Sequence, residues 1–137
     1  MLDQSHAGRC DGLTGRAVAV VFARGGSKGI RDKNLRLIGG KSLLEYAIGV
    51  ARESCLIGRV VVSTDDERIA AVAKQAGAEV PFMRPAELAQ DDTPEWLAWQ
   101  HAVQVLQETG ALSANQAFIS VPPTAPFRAV EDLNACL

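Results

Sequence analysis

The chain has 137 residues, 47% of them apolar and 22% charged, with a formal net charge of −2. That length sets one domain as the upper bound, the apolar share supports a packed core, and disorder is excluded. The near-neutral charge gives no electrostatic reason to expect nucleic acid or an anionic membrane as partner.

The first sixteen residues, "MLDQSHAGRCDGLTGR", are polar and lack an apolar centre. They read as a flexible N-terminal extension (1–16) rather than a secretory signal. "AVAVVF" (17–22) is a continuous apolar, β-branched run. It suits a strand buried on both faces, as in a parallel sheet. "ARGGSKGIRDKN" (23–34) follows at once. Glycines, a serine and cations are poor material for a helix or strand and good material for a loop around an anion.

"SLLEYAIGVARES" (42–54) carries Leu44, Ala47, Ile48 and Ala51 at helical spacing, with Ser42 and Glu45 placed as a capping box. "RVVVST" (59–64) is a second buried strand, and "DDERIAAVAKQAG" (65–77) a helix with acidic residues in its first turn and Gly77 at its end. "EVPFM" (79–83) reads as a short third strand, with Pro81 marking an edge. "RPAELAQDDTP" (84–94) is loop, and Thr93-Pro94 opens a helix. On that helix Trp96, Trp99, Val103 and Leu106 are expected to face the core. "QAFISV" (116–121) is a fourth strand, "PPTAPFR" (122–128) a proline-held loop, and "AVEDLNACL" (129–137) begins a last helix. Alternating strands and helices predict an α/β, three-layer Rossmann-like sandwich with a mostly parallel sheet. In such sheets ligands bind beyond the carboxyl ends of the strands. The cationic loop, "STDD" (63–66) and "PPTAPFR" all fall at that edge.

No stretch approaches the ~20 apolar residues of a membrane span. Cys10, Cys55 and Cys136 are far apart and odd in number, without CxxC pairing, and His6 and His101 stand alone. Neither a disulfide framework nor a zinc site is expected, and the compartment reads as reducing and cytoplasmic.

Six of the fourteen Lys and Arg residues fall between 24 and 41: Arg24, Lys28, Arg31, Lys33, Arg36 and Lys41. Such a cluster after a first buried strand suits a phosphate-rich ligand. Two familiar phosphate motifs are excluded. "GKS" (40–42) lacks the glycine five residues before Gly40 that a Walker A loop needs, since Leu35 stands there. Gly25, Gly26 and Gly29 do not form G-x-G-x-x-G.

"ARGGSKGIRDKN" with "STDD", "GAEVPFMRPAELAQDD" and "PPTAPFR" resembles the N-acylneuraminate cytidylyltransferase family, from about Ala17 to about Leu133. The resemblance implies a nucleotide-diphospho-sugar transferase type of fold, with residues 17–137 as the N-terminal part of a C-terminally truncated domain. It implies attack of a sugar's anomeric hydroxyl on the α-phosphorus of CTP, with release of pyrophosphate. The implied partners are CTP and an acidic nine-carbon sugar, with Mg²⁺ as cofactor on ligands beyond Leu137 and a homodimer in the full-length enzyme. Within the resemblance Arg24 and Lys33 take catalytic roles. Arg24, Gly26, Ser27, Lys28, Lys33, Asn34, Arg84, Thr124 and Arg128 form the nucleotide-binding set.

The competing structural readings are concrete. Ser27 steadies a turn, Asn34 caps the next segment, Arg84 pairs with Glu87, and Arg128 pairs with Glu131. Asp65 and Asp66 start a helix. The sequence also departs from the family. Arg31 replaces a proline, Pro122 a glutamine, Ala125 a serine, and Glu95 a small hydroxyl residue. Proline cannot read a base edge as glutamine can. Related readings are a Kdo-, legionaminate- or pseudaminate-type transferase, or a non-catalytic nucleotide-binding domain of the same fold.

Overall fold

The computed structural model describes residues 16–26, 29–124 and 129–137. The N-terminal extension expected over 1–16 therefore lies outside the described residues, except for Arg16.

β1 (Ala17–Phe22) is the central strand, and its first five residues are buried. A buried run of this length is stable only where both neighbours complete its hydrogen bonds. They do: β4 (Ile57–Ser63) and β5 (Phe118–Ser120) flank it, both parallel, in the order β4-β1-β5. After β1 the chain forms a hairpin of β2 (Leu37–Ile38) and β3 (Lys41–Ser42), which the sequence reading had not separated. Gly39 and Gly40 join them with φ of 62° and 89°. Two consecutive positive φ values are what a two-residue hairpin turn needs, so "GGKS" is a turn and return strand.

α1 (Leu43–Glu53) starts on the expected capping box. The Glu45 N–H donates to Ser42 Oγ at 3.2 Å, and the Ser42 N–H to Glu45 Oε2 at 2.7 Å. β4 (Ile57–Ser63) returns beside β1 with Val20 opposite Val61. α2 (Glu67–Gln75) is capped by Asp66, which accepts the Arg68 N–H at 2.8 Å. It stops in a Schellman turn, with the Gly77 N–H on the Lys74 carbonyl and the Ala78 N–H on the Ala73 carbonyl.

The third strand expected over 79–83 is not formed. Only the bridge between Val61 and Glu79 exists there. Pro81 has no N–H to continue the ladder. α3 (Glu95–Glu108) and β5 (Phe118–Ser120) follow, and α4 (Val130–Cys136) ends the chain.

The core has two halves, one on each face of the sheet. Ala17, Ala19 and Val21 pack with Leu44, Ile48, Ile69, Ala73 and Leu133, which come from α1, α2 and α4. Val18, Val20 and Val61 pack with Ala102, Leu106 and Leu112. The period-two alternation of β1 thus feeds two helical layers and makes the three-layer sandwich. α3 corrects the sequence reading: Ala98, Ala102 and Leu106 are buried, whereas Trp96 is 54% and Trp99 37% exposed. Small residues let the helix lie close to the sheet, and indole rings at 98 and 102 would hold it off.

No helix among the described residues is long and apolar enough to cross a membrane. Cys136 is a free, exposed thiol, whereas Cys55 is disulfide-bonded, which departs from the reading of three separate thiols.

Candidate functional site

The first crossover carries the chain from β1 to β4, and the later one brings β5 to the opposite side of β1. α1 and α2 cover one face and α3 the other. The strand order therefore reverses at β1. A crevice opens at the carboxyl ends of strands at such a point.

The loop leaving β1 is fastened on several sides. The Ala23 N–H still donates to the Ser63 carbonyl at 3.0 Å, extending the β4 pairing by one residue. The Gly25 N–H donates to Asp65 Oδ1 at 2.8 Å. Asn34 Nδ2 donates to the Arg24 carbonyl at 3.2 Å. Asn34 thus ties the start of the loop to the short 3₁₀ turn Lys33–Leu35. Gly25 sits where no side chain fits: a Cβ there would lie 2.8 Å from Asp66 Oδ2 and 2.9 Å from Asp66 Cβ.

Asp66 cannot easily move aside. It caps α2, and its Oδ2 accepts from Arg68 Nη2 at 2.8 Å. The Arg68 bond holds its carboxyl below the usual range, against an opposing effect of burial. Arg68 also reaches Asp32 at 2.9 Å, and both carboxylates raise its pKa. "STDD" is thus both helix start and loop anchor: Asp66 caps, and Asp65 holds the glycine loop.

The cavity in the crevice has a volume of about 740 Å³. Phe22 and Arg24 line it from the end of β1, and Lys33 and Asn34 from the turn. Arg84, Thr93, Pro94, Glu95 and Trp99 add one wall. Ser120, Pro122, Pro123 and Thr124 line it from the end of β5. A smaller cavity of about 490 Å³ adjoins it and shares Arg24. Gly26 also lines that neighbour, and Asp65, Asp66, Glu67 and Asp91 make it acidic. Among the described residues no group of three or more His, Cys, Asp or Glu side chains could hold a metal ion.

Arg84 is only 7% exposed and does not pair with Glu87. Its Nε donates to Ser63 Oγ at 3.2 Å and its Nη2 to the Ser63 carbonyl at 2.8 Å. The guanidinium lies 5.9 Å from the centre of the Phe22 ring. Burial lowers its pKa, with Asp65 and Glu95 opposing and Arg24 reinforcing. A buried arginine without a carboxylate partner is a cation held ready for an anion or an acceptor-rich edge. Arg24, half-buried, pairs with Asp91 at 2.5 Å.

Of the nine residues singled out in the sequence, Arg24, Lys33, Asn34, Arg84 and Thr124 meet in this one cavity. Gly26, at φ 62°, lines the neighbour. Ser27, Lys28 and Arg128 lie outside the described residues. Sequence reasoning missed Phe22 and assigned Trp99 to the core. The one available signal for Trp99 was its place one turn after Glu95.

A sequence model described as cytidylyltransferase matches residues 18–133. The N-acylneuraminate cytidylyltransferase of Escherichia coli is 35% identical over 113 residues, covering 82% of this chain and 25% of its own length. The CMP-N,N'-diacetyllegionaminic acid synthase of Legionella pneumophila is 36% identical over 118 residues, covering 86% of this chain and 50% of its own. Among solved structures, CMP:2-keto-3-deoxy-manno-octonic acid synthetase complexed with CTP superposes with a TM-score of 0.70 at 22% identity. That superposition covers 88% of this chain and 45% of the other, and at this identity it speaks to the fold. The chain spans a quarter to a half of the length of these proteins.

Proposed function

Since this chain belongs to the cytidylyltransferase family, we propose that it holds the CTP-binding half of an enzyme that transfers CMP to the anomeric hydroxyl of an acidic sugar. One observation carries the reading. Arg24, Lys33, Asn34, Arg84 and Thr124, drawn from separate stretches of sequence, converge on a single cavity at the reversal point of the sheet.

The chemistry required is positioning and charge neutralisation, because phosphoryl transfer asks little covalent work of the protein. The triphosphate enters beside Arg24 and Lys33. Arg24 exchanges its Asp91 partner for phosphate oxygens, a carboxylate for an anion of higher charge. Asn34 and Asp65 hold the loop so that Arg24 is already in place. Asn34 thus fastens the loop as well as lining the cavity. As the sugar hydroxyl attacks the α-phosphorus, charge grows on the departing pyrophosphate, and the two cations face it. The acidic sugar is of the class named for the relatives, with sialic and legionaminic acids foremost. Mg²⁺ and a homodimer belong to this reading through the family resemblance and not through this geometry, whereas the cytoplasmic location rests on the cysteine pattern, which the disulfide at Cys55 weakens. The donor set described here does not fit a metal centre, so no step is routed through one.

The test is a calorimetric titration of CTP into the wild type, Arg24→Ala and Lys74→Ala, the last an exposed cation on α2. Loss of charge-assisted contacts at Arg24 should weaken binding about tenfold or more. Equal effects from the two variants would sink the assignment. Pyrophosphate release on adding sialic or legionaminic acid supports the transferase. Binding without release favours a nucleotide-binding domain of the same fold.

A further inference from the structure

We infer that Glu95 and Trp99, one turn apart on α3, read the base of the bound nucleotide. Trp99 would supply a stacking face and Glu95 an acceptor for the exocyclic amino group of cytosine. The inference rests on the nucleotide reading above and deepens it.

The observations are independent of the phosphate loop. Glu95 and Trp99 are four residues apart, so both project from one face of α3, and both line the large cavity. Trp99 leaves 37% of its surface exposed although its ring packs on Phe22, with centroids 6.3 Å apart and planes 37° apart. A large indole anchored on one ring and open toward a cavity is suited to stack on a flat heterocycle. Glu95 is exposed and has no hydrogen-bond or ion-pair partner among the described residues. It is near enough to Arg84 to act on that cation's pKa, without forming a pair.

The cavity wall therefore carries an acceptor at Glu95 and a buried donor at Arg84. Arg84 spends only two of its five N–H groups, both on Ser63. Cytosine offers the complement: an amino donor beside ring-nitrogen and carbonyl acceptors. Uracil offers a carbonyl where cytosine has the amino group, and a carboxylate there repels it. Pro122, across the cavity, has no side-chain donor or acceptor to do this work. The carboxylate of Glu95 is thereby kept for the one end of the nucleotide that donates.

The experiment is a set of calorimetric titrations of the whole chain with CTP, UTP and inorganic tripolyphosphate. The wild type should prefer CTP to UTP. Glu95→Gln should lower that preference about tenfold, because the amide can face either base. Trp99→Ala should weaken CTP and UTP alike by about tenfold and leave tripolyphosphate unchanged, and Trp99→Phe should restore most of the loss. The chain has two tryptophans, so Trp96→Phe isolates Trp99 as reporter. CTP should quench its emission and tripolyphosphate should not. An unchanged CTP/UTP ratio in Glu95→Gln overturns the acceptor role. Equal loss of CTP and tripolyphosphate in Trp99→Ala, or no quenching by CTP, overturns the stacking role. A wild type that binds tripolyphosphate and both nucleotides equally overturns this inference alone. One that binds none of the three overturns the nucleotide reading beneath it.

Discussion

Replacing Arg84 by methionine should separate the structural task of this side chain from the nucleotide-binding task proposed for it. Structurally it donates to Ser63 Oγ at 3.2 Å and to the Ser63 carbonyl at 2.8 Å. Charged hydrogen bonds contribute about 1.5–3 kcal/mol each. Two such bonds would suggest a large loss, but three features reduce it. The Ser63 carbonyl keeps the Ala23 N–H at 3.0 Å, so only the hydroxyl loses its partner. The guanidinium no longer has to be held out of water, a cost already visible in its lowered pKa. Methionine fills the stem volume and can replace the guanidinium–ring contact with a thioether–ring contact to Phe22. The net destabilisation should be about 1–2 kcal/mol, the cost of one unsatisfied buried hydroxyl. Urea unfolding measures it. Adding Ser63→Ala should recover part of the loss, since removing both partners is close to neutral. CTP binding, in contrast, should fall about tenfold or more, because the donor facing the cavity is gone. A loss above about 4 kcal/mol would make Arg84 a structural pin. So would unaltered CTP affinity in a folded variant.

Gly25→Ala should cost about 1–3 kcal/mol from its clash with Asp66 and should displace Arg24, weakening CTP binding. Gly26→Ala meets nothing within 4 Å and should cost only about 1 kcal/mol for its positive φ, so a reversed order in urea unfolding contradicts the packing argument. Asp66 has its folded-state pKa depressed below 3.8, so it contributes stability above about pH 4 that is lost as the pH falls through the folded value. Asp66→Asn keeps a capping oxygen but should flatten that acid limb in a pH series of thermal melts, and an unchanged limb would show that the Arg68 pairing contributes nothing.

The parts of the fold legible in the sequence were those fixed by local chemistry. "AVAVVF" had to be a doubly buried strand, and Ser42 with Glu45 had to start a helix; both did. What escaped depended on distant partners. Residues 79–83 had strand composition, yet only Glu79 pairs. On α3 the apolar stripe was read through the tryptophans, because hydropathy ranks indole above alanine. Close approach to the sheet instead selected Ala98 and Ala102 and left the rings at the rim. Arg84 could be nominated, but its true partner, Ser63, lies twenty-one residues earlier and only strand pairing brings the two together. Within the site, the cationic loop was visible as a composition, whereas Glu95 stood in the sequence only as a departure from a small hydroxyl residue, and the fold brings it to the same cavity as Arg84.

The central position of β1 also sets the order of events when the chain is made. β1 leaves the ribosome before the other described strands, yet Val18 ends opposite Phe118 and Val20 opposite Ser120. Its other neighbour, β4, arrives about forty residues after it. An apolar strand of high pairing tendency must therefore wait, with both edges open until β4 arrives and one edge open until β5 does, while the chain is synthesised at about 5–20 residues per second. For several seconds it is available to chaperones and to other nascent copies. The pairing most distant along the chain is also the one that closes the cavity, since Ser120 and Thr124 form its far wall. Among the described elements the cavity is thus the last feature to close, and slowing translation between α2 and β5 should raise the yield of aggregated chain.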